Sequence, residues 1–191
     1  MNPLGKWFWK PISISTAIVE LFFVDVLYAI VGIRLILLLF PVLPSNPGSE
    51  ALISVAYMPL PEAIESLIKF AWLFTQEEFF YRLLPFVIAW IVALIADMFW
   101  MQRRIKYIQE WLMIAACVIS SVLFGIAHGS AAFILLQGVQ GVIVFVFFVR
   151  MAYTHRHHII AAFIVVLAEH LIFDYLLVAM ELAKRLTNGG L

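Results

Sequence analysis

Long apolar runs, separated by short polar stretches, cover most of the chain. An α-helix of about 20 apolar residues is long enough to cross the hydrocarbon core of a bilayer. The clearest runs lie at about residues 12–40, 62–102, 111–127, 131–149 and 159–182. This pattern predicts an all-α fold, a polytopic transmembrane helix bundle of about five to seven membrane segments.

The region between the first two runs is less regular. Residues 41–50 are predicted to form a loop, because three prolines, with serine and glycine, disfavour a regular element. Residues 51–61 are apolar but short, which indicates either a short helix or a re-entrant segment. A new helix should begin at Pro61 or Glu62, since proline suits the first helical position and a carboxylate suits a helix N-terminus.

Pro85 leaves two topologies open, because a proline inside a helix removes a backbone hydrogen bond and either kinks or ends the helix. If 62–102 is one kinked crossing, the basic stretches at 103–106 and 150–158, both predicted loops, fall on the same side as the Lys- and Trp-rich residues 1–11. That side is then cytoplasmic, because positive charge concentrates there. Two separate spans would lose this agreement. We prefer the single crossing, which places His128 near the outer face.

Composition supports the membrane assignment. Hydrophobic residues make up 65% of the chain and charged residues 13%, whereas soluble domains carry about 25% charged residues. The formal net charge is zero, so no nucleic-acid partner is expected. We treat residues 1–191 as a single integral membrane domain, expected in a bacterial inner (plasma) membrane with several passes. The first run is too long for a signal-peptide core, so we interpret it as mature structure.

Two kinds of small residue bear on packing. The single cysteine, Cys117, cannot form an intramolecular disulfide and lies in an apolar run, so we expect a small core residue. Gly138 and Gly141 lie on nearby faces of one predicted helix. Small residues at such positions let a neighbouring membrane helix approach closely.

The second run contains a polar cluster that the bilayer does not tolerate cheaply, Gln76-Glu77-Glu78-Phe79-Phe80-Tyr81-Arg82. A charge at mid-bilayer costs roughly 2.5–3.5 kcal/mol on insertion scales, so the cluster predicts a site that faces protein or water. On a helix Glu78 and Arg82 are four residues apart and can pair. Glu77 points about 100° away and is left without that partner, which makes it the candidate general base. A buried ion network without catalytic function is the structural alternative.

Later runs carry further polar residues that can serve the same cavity. His128 ends its segment beside Gly129, which leaves room for substrate. His170 and Asp174 are four residues apart on one helix face, so Asp174 can accept a hydrogen bond from the imidazole and fix its tautomer. One carboxylate and two imidazoles from three segments can activate water for attack on a peptide carbonyl.

Other polar residues have simpler interpretations. We interpret Glu20, Asp25 and Arg34 in the first run as tertiary partners or interface residues in preference to cavity-lining groups. Glu169 points away from the face of His170 and is expected to pair with a neighbouring helix. The histidines within 155–158 are expected to lie in a solvated loop and not to bind a metal.

Three short motifs resemble one protein family. EEFFYR (residues 77–82) resembles the Glu-Glu-x-x-x-Arg motif of the CPBP intramembrane proteases, the group that includes the CAAX prenyl endopeptidases and the bacterial Abi proteins. FGIAH (124–128) resembles the family's Phe-x-x-x-His motif, and HLIFD (170–174) its His-x-x-x-Asn/Asp motif. The motifs occur in the expected order. The resemblance covers about residues 62–176, which would be the catalytic core, and leaves the first span outside it.

The resemblance implies a glutamic-type intramembrane endopeptidase with the catalytic residues Glu77, Glu78, Arg82, His128, His170 and Asp174. Glu77 would activate water with the help of His128, Glu78 and Arg82 would form a supporting pair, and His170 with position 174 would face the developing oxyanion. Many family members carry Asn at the last position. An ionised aspartate cannot donate to an oxyanion, so Asp174 is either protonated or orients His170, and we favour orientation.

The resemblance points to a metal-free mechanism, so no cofactor is expected. A Zn²⁺ ion remains the alternative, because two imidazoles and a carboxylate can hold zinc with one open position. If a metal is present, its ligands would be Glu77, His128 and His170. The sequence lacks a His-Glu-x-x-His helix, in which two ligands are preset on one face.

The expected partners are the lipid bilayer and a membrane-anchored protein or peptide substrate, such as a prenylated C-terminus or a C-terminal sorting tail. A cavity that opens outward favours exported or tail-anchored substrates. Two alternatives stay open: a non-enzymatic membrane scaffold or bacteriocin-immunity protein of the same family, and a proton-coupled transporter. The inverted repeats of many transporters are not visible here. The sequence does not indicate an oligomeric state.

Overall fold

The computed structural model describes residues 10, 12–40, 46–99, 105–129, 131–154 and 159–188. Within these residues the regular elements are helices, and no strand occurs. The α-helices are α1 Ile14–Leu27, α2 Ile33–Leu39, α3 Pro47–Ser54, α4 Leu60–Glu78, α5 Leu84–Phe99, α6 Ile105–Ala127, α7 Ala131–Thr154 and α8 Ile159–Thr187. A first π-turn, Tyr28–Gly32, joins α1 to α2, and a second π-turn, Phe79–Leu83, joins α4 to α5. A 3-10 turn, Val55–Tyr57, follows α3.

Within the described residues, five helical units are long and apolar enough to cross a membrane: Ile14–Leu39, Leu60–Ala96, Ile108–Ala127, Ala132–Ala152 and Ile159–Thr187. Many of their large apolar side chains are exposed, as expected of surfaces that face lipid. The predicted all-α transmembrane bundle is confirmed. The protein is an integral, multi-pass membrane protein.

Helix α7 lies at the centre of the bundle. Every residue from 144 to 152 is buried, and the helix packs against α1, α2, α6 and α8. Glycines make its close approach to α6 possible. A Cβ atom on Gly138 would lie 3.1 Å from the Ser121 carbonyl oxygen, and one on Gly125 would lie 2.5 Å from Cα of Ile134. The predicted role of Gly138 and Gly141 in close packing is confirmed, and Gly125 adds to it.

The second π-turn is a direct consequence of Pro85. The backbone N–H of Leu84 donates to the carbonyl of Phe79, five residues earlier. Proline has no N–H, so the carbonyl of Tyr81, four residues before it, loses its helical donor. The Ser120 hydroxyl and Nη1 of Arg82 (3.2 Å) donate to that carbonyl instead. The helix therefore continues through Pro85 as a single candidate span of 37 residues, in agreement with the preferred topology.

Three predicted loops are partly helical. In the predicted loop at 103–106, residues 105 and 106 already belong to α6, so the prediction is wrong for these two residues. Helix α7 continues to Thr154, because 150–154 contains no glycine or proline. Arg150 is buried there, with Nη1 3.5 Å from Glu20 Oε2 and Nε donating to the carbonyl of Lys10 at 3.2 Å. Glu20 is thus the tertiary partner that we expected. The loop prediction is therefore wrong for residues 150–154, which form the last turn of α7, with Arg150 buried inside the bundle.

The loop prediction for 41–50 is wrong for residues 47–50, which begin α3. Asn46 is its N-cap, with Oδ1 accepting from the backbone N–H of Gly48 at 3.0 Å, and Pro47 stands in the first turn. The apolar piece that follows is the short helix of the two alternatives. Residues 1–9, 41–45, 100–104 and 155–158 lie outside the described residues, and so do the predictions that concern them.

The 3-10 turn that follows α3 is hydrogen-bonded to the far end of α8. The Tyr57 hydroxyl donates to the Glu181 carboxylate, and this hydrogen bond raises the pKa of Tyr57 above its usual value. Nη1 of Arg185 donates to the carbonyl of Ala56 at 3.1 Å, and the Arg185 guanidinium lies 5.4 Å from the centre of the Tyr57 ring. These contacts hold α3 beside the cavity described below.

Candidate active site

A cavity of about 640 Å³ lies between α1, α3, α4, α6, α7 and α8. All the predicted site residues line it: Glu77, Glu78, Arg82, His128, His170 and Asp174. They come from three separate parts of the chain, which the bundle brings together. Their catalytic roles remain predictions.

Glu78 and Arg82 form the predicted pair across one helical turn. Nε of Arg82 is 3.7 Å from Oε2 of Glu78, and the two side chains are 1% and 2% exposed. The Arg82 guanidinium also lies 4.6 Å from the centre of the Phe124 ring. Phe124 is the first residue of the FGIAH motif, so its physical role here is to offer an aromatic face to the buried cation.

His170 is held from both sides by carboxylates. Its Nδ1 is 2.8 Å from Oε1 of Glu78, its Nε2 is 3.0 Å from Oδ2 of Asp174, and its ring stacks on Phe74 at 4.7 Å. The orienting role that we favoured for Asp174 agrees with this geometry. The oxyanion role implied for His170 does not, because neither ring nitrogen is left to donate to a substrate oxygen.

Glu77 has different surroundings from its neighbour. Its side chain is 33% exposed, and its closest charged contact is Nε2 of His170, 3.9 Å from Oε2. No hydrogen bond joins its carboxylate to another group within the described part of the chain. As predicted, Glu77 lacks the arginine partner that Glu78 has. Its carboxylate is therefore available to bind water in the cavity.

His128 follows directly after the last residue of α6, as predicted. Its Nδ1 lies 2.7 Å from the carbonyl oxygen of Phe124. A carbonyl only accepts, so we assign the proton to Nδ1, and Nε2 is left as an acceptor in the neutral ring. Gly129 has a φ of 98°, a conformation that glycine adopts without strain, and it ends the helix at this point.

Sequence reasoning missed several residues that line the cavity: Asp25, Tyr28, Gln137, Gln140 and Glu169. Asp25 meets Glu169 of another helix, as expected of a tertiary partner, but it also lines the cavity, the role that we had not preferred, because α1 turns this side chain inward, where it is 3% exposed. Glu169 does face a neighbouring helix, and the group it meets is the Asp25 carboxyl. An acid in the middle of an apolar run was the available signal for Asp25.

The alternative metal site does not fit the side chains. Among the residues that the structure describes, no three His, Cys, Asp or Glu side chains form a group that could hold a metal ion. Of the alternative ligands Glu77, His128 and His170, the last already has both nitrogens engaged by carboxylates.

Comparison with known proteins does not assign this chain to a family. No protein-family model, characterised protein or solved structure matches this chain. The class of protein is defined by fold and site alone: a multi-pass helical membrane protein with an acidic cavity that contains two histidines.

Proposed function

We propose that the protein is an intramembrane endopeptidase that cleaves a membrane-anchored peptide or C-terminal tail. The observation that carries this proposal is the convergence of 77–82, 124–128 and 170–174 on one cavity. Within it, Glu77 is partly exposed and weakly paired, while its neighbours are tightly held. A purely structural ion network has no need of such an unpaired carboxylate.

Water activation falls to Glu77 and His128. A water molecule bound to the Glu77 carboxylate loses a proton to it as the water oxygen attacks the peptide carbonyl carbon. Nε2 of His128 accepts a second hydrogen bond from the same water and orients it. The proton then passes to the leaving nitrogen, the C–N bond breaks, and a carboxylic acid and an amine result. A positioned base contributes typically about 10²–10⁴ in rate.

The other family-like residues position this pair. Arg82, Glu78, His170 and Asp174 form a continuous chain of charged contacts, each 2.8–3.7 Å long. The chain fixes the imidazole whose Nε2 lies 3.9 Å from Glu77. It thereby keeps Glu77 in place beside the reacting water.

The developing oxyanion needs an N–H donor, and we assign this role to Gln137. It lines the cavity with Gln140, and neither amide hydrogen-bonds to another described residue. Gly138 packs on the Ser121 carbonyl and Gly125 packs on Ile134, so Gln137 lies level with Val122, about half a helical turn deeper than Phe124. Gln140 lies one turn deeper, away from His128.

The proposed location is a bacterial plasma membrane, with the cavity open toward the outer face. This orientation follows from the single crossing of Leu60–Ala96 and from the basic stretches assigned to the cytoplasm. It favours exported or tail-anchored substrates over cytoplasmic prenylated ones.

The proposal is tested by co-expressing the protein with candidate tail-anchored substrates. Glu77→Ala and His128→Ala should each cause uncleaved substrate to accumulate, with protein abundance unchanged. Glu65→Ala is the matched control, since Glu65 lies on the same helix, is exposed and pairs only with Lys69. Continued cleavage of the substrate by the Glu77→Ala variant would contradict the proposal.

A non-enzymatic membrane scaffold or immunity protein is the second candidate. The buried contacts of Glu78 with Arg82 and His170 favour it, because such a network can also serve architecture alone. Under this alternative, Glu77→Ala leaves the scaffolding or immunity function in cells unchanged. Glu78→Ala removes that function by lowering the abundance of the protein.

A further inference from the structure

Asp25 has an unmet need for hydrogen-bond donors. Its side chain is 3% exposed and lines the cavity. Apart from the Glu169 carboxyl, no group in the described chain lies within hydrogen-bonding distance of either carboxylate oxygen. A buried carboxylate is normally paired or hydrogen-bonded, because it is costly to remove from water otherwise. An occupant of the cavity that carries N–H groups would supply the donors that remain missing.

The groups around Asp25 do not supply those donors. Glu169 on α8 places a second carboxyl against it, and one proton shared between the two groups satisfies a single oxygen of Asp25 and leaves the other without a donor. The nearby cation, Arg82, is committed to Glu78 and to the carbonyl of Tyr81. The Tyr28 hydroxyl donates to the carbonyl of Leu136 at 2.6 Å.

The cavity as a whole attracts cations. Its lining carries five carboxyl groups against one guanidinium and two imidazoles: Asp25, Glu77, Glu78, Glu169 and Asp174 against Arg82, His128 and His170. A cleft of one sign with low-dielectric walls concentrates ions of the opposite sign. Glu78 and Asp174 are paired with Arg82 and His170. The excess of carboxyl groups therefore lies at Asp25, Glu77 and Glu169, and it favours an occupant with a positive group.

Asp25 lies at the inner end of this cavity, apart from His128. Helix α1 runs antiparallel to α7, since Tyr28 contacts Leu136 while Glu20 contacts Arg150. Asp25 precedes Tyr28 by about one helical turn, on the side of Glu20. It is therefore further from the His128 end than Tyr28 is.

We propose that Asp25 and Glu169 form a subsite that receives a lysine or arginine side chain of the substrate. The inference rests on the proposed function and names its substrate class: a membrane-anchored peptide with a cationic residue a short distance from the scissile bond. An ammonium or guanidinium group supplies the N–H donors that Asp25 lacks, in charge-assisted hydrogen bonds. A guanidinium can serve both carboxylates at once.

The test measures binding without cleavage. Full-length Glu77→Ala protein in detergent is titrated with fluorescent peptides that are identical except for arginine or citrulline, its neutral isostere, at each position in turn. At one position the arginine peptide should bind at least about tenfold more tightly. Adding Asp25→Asn should abolish that preference, and adding Glu65→Gln, a carboxylate outside the cavity, should preserve it.

Three results overturn the subsite. Equal binding of both peptides at every position indicates that Asp25 and Glu169 instead share a proton. A preference that survives both Asp25→Asn and Glu169→Gln places the cation elsewhere. Equal weakening of both peptides by Asp25→Asn indicates a structural role. If Asp25→Asn does not accumulate, Glu169→Gln provides the same comparison.

Failure of the proposed function gives a different result. Wild-type protein is then incubated with the preferred arginine peptide. A preference in binding without any cleavage leaves the subsite standing and removes the protease. Cleavage of the arginine and citrulline peptides at equal kcat/KM, with equal binding, removes the subsite and leaves the protease.

Discussion

Two adjacent glutamates illustrate how much a single residue step matters on a helix. Glu78 is 2% exposed and held by Arg82 and His170, whereas Glu77 is 33% exposed and its closest charged contact is at 3.9 Å. A rotation of about 100° per residue separates the two side chains. Glu78 is therefore suited to fix the geometry, and Glu77 to exchange a proton with water.

The two glutamates should respond differently to the same substitution. Glu77→Gln is expected to lower the cleavage rate by at least about 10²-fold while leaving thermal unfolding in detergent unchanged. Glu78→Gln leaves Arg82 buried without a counter-charge and should destabilise the bundle by roughly 3–5 kcal/mol. Unfolding curves and cleavage rates of the two variants, measured side by side, check this. A reversed pattern would exchange their assigned roles.

The amide of Gln137 should act on turnover more than on substrate binding. Gln137→Leu is expected to lower kcat by about 10²–10³-fold, as loss of one oxyanion donor does, with little change in KM. Gln140→Leu, one turn deeper, serves as the comparison and should affect kcat less. Steady-state kinetics on a cleavable peptide separate the two parameters. An unchanged kcat for Gln137→Leu would exclude this residue as the donor.

At the scale of an element, the second π-turn links Pro85 to the site. The turn leaves the Tyr81 carbonyl to Ser120 and Arg82, and it lies directly after Glu77 and Glu78 in the chain. Arg82 lies within this turn, so the geometry of the turn sets how its side chain faces Glu78. π-turns inside α-helices occur frequently at functional sites.

Replacing Pro85 should separate stability from activity. Pro85→Ala returns an N–H to position 85, which can bond the Tyr81 carbonyl in ordinary α-helical geometry. We expect helix content and thermal stability to be equal or higher, and cleavage to fall, because Arg82 loses an acceptor and the turn tightens. Circular dichroism and cleavage assays on the same preparation check both parts. Full activity in this variant would contradict the proposed coupling.

Local spacing predicted the contacts made within one helix, but not those that depend on packing between helices. The pairings of Glu78 with Arg82 and of His170 with Asp174 follow from a four-residue separation. The link between Glu78 and His170 depends on how α4 packs on α8, which periodicity does not encode. The position of Asp25 in the cavity lining was not predicted for the same reason, since an apolar run does not reveal which of its faces turns inward.

For the whole molecule, the fold class follows from hydrophobicity, and the orientation follows from charge. The proposed orientation of the five candidate spans in the described residues puts Lys10 inside, and α3 and the end of α8 outside. Cysteine labelling with a membrane-impermeant maleimide tests this arrangement, with the buried native Cys117 replaced. Glu50→Cys and Thr187→Cys should react in intact cells, and Lys10→Cys only after permeabilisation. Labelling of Lys10→Cys in intact cells would reverse the topology.

The Glu78–Arg82 pair also has a consequence for biogenesis. Residues 60–96 leave the ribosome before the segments that supply Ser120, Phe124 and His170, so the later partners are absent when this helix first enters the bilayer. Because the glutamate and the arginine lie one turn apart on the same helix, they neutralise each other during that interval. The nascent helix can thus remain inserted in the bilayer until α8 is synthesised and packs against it.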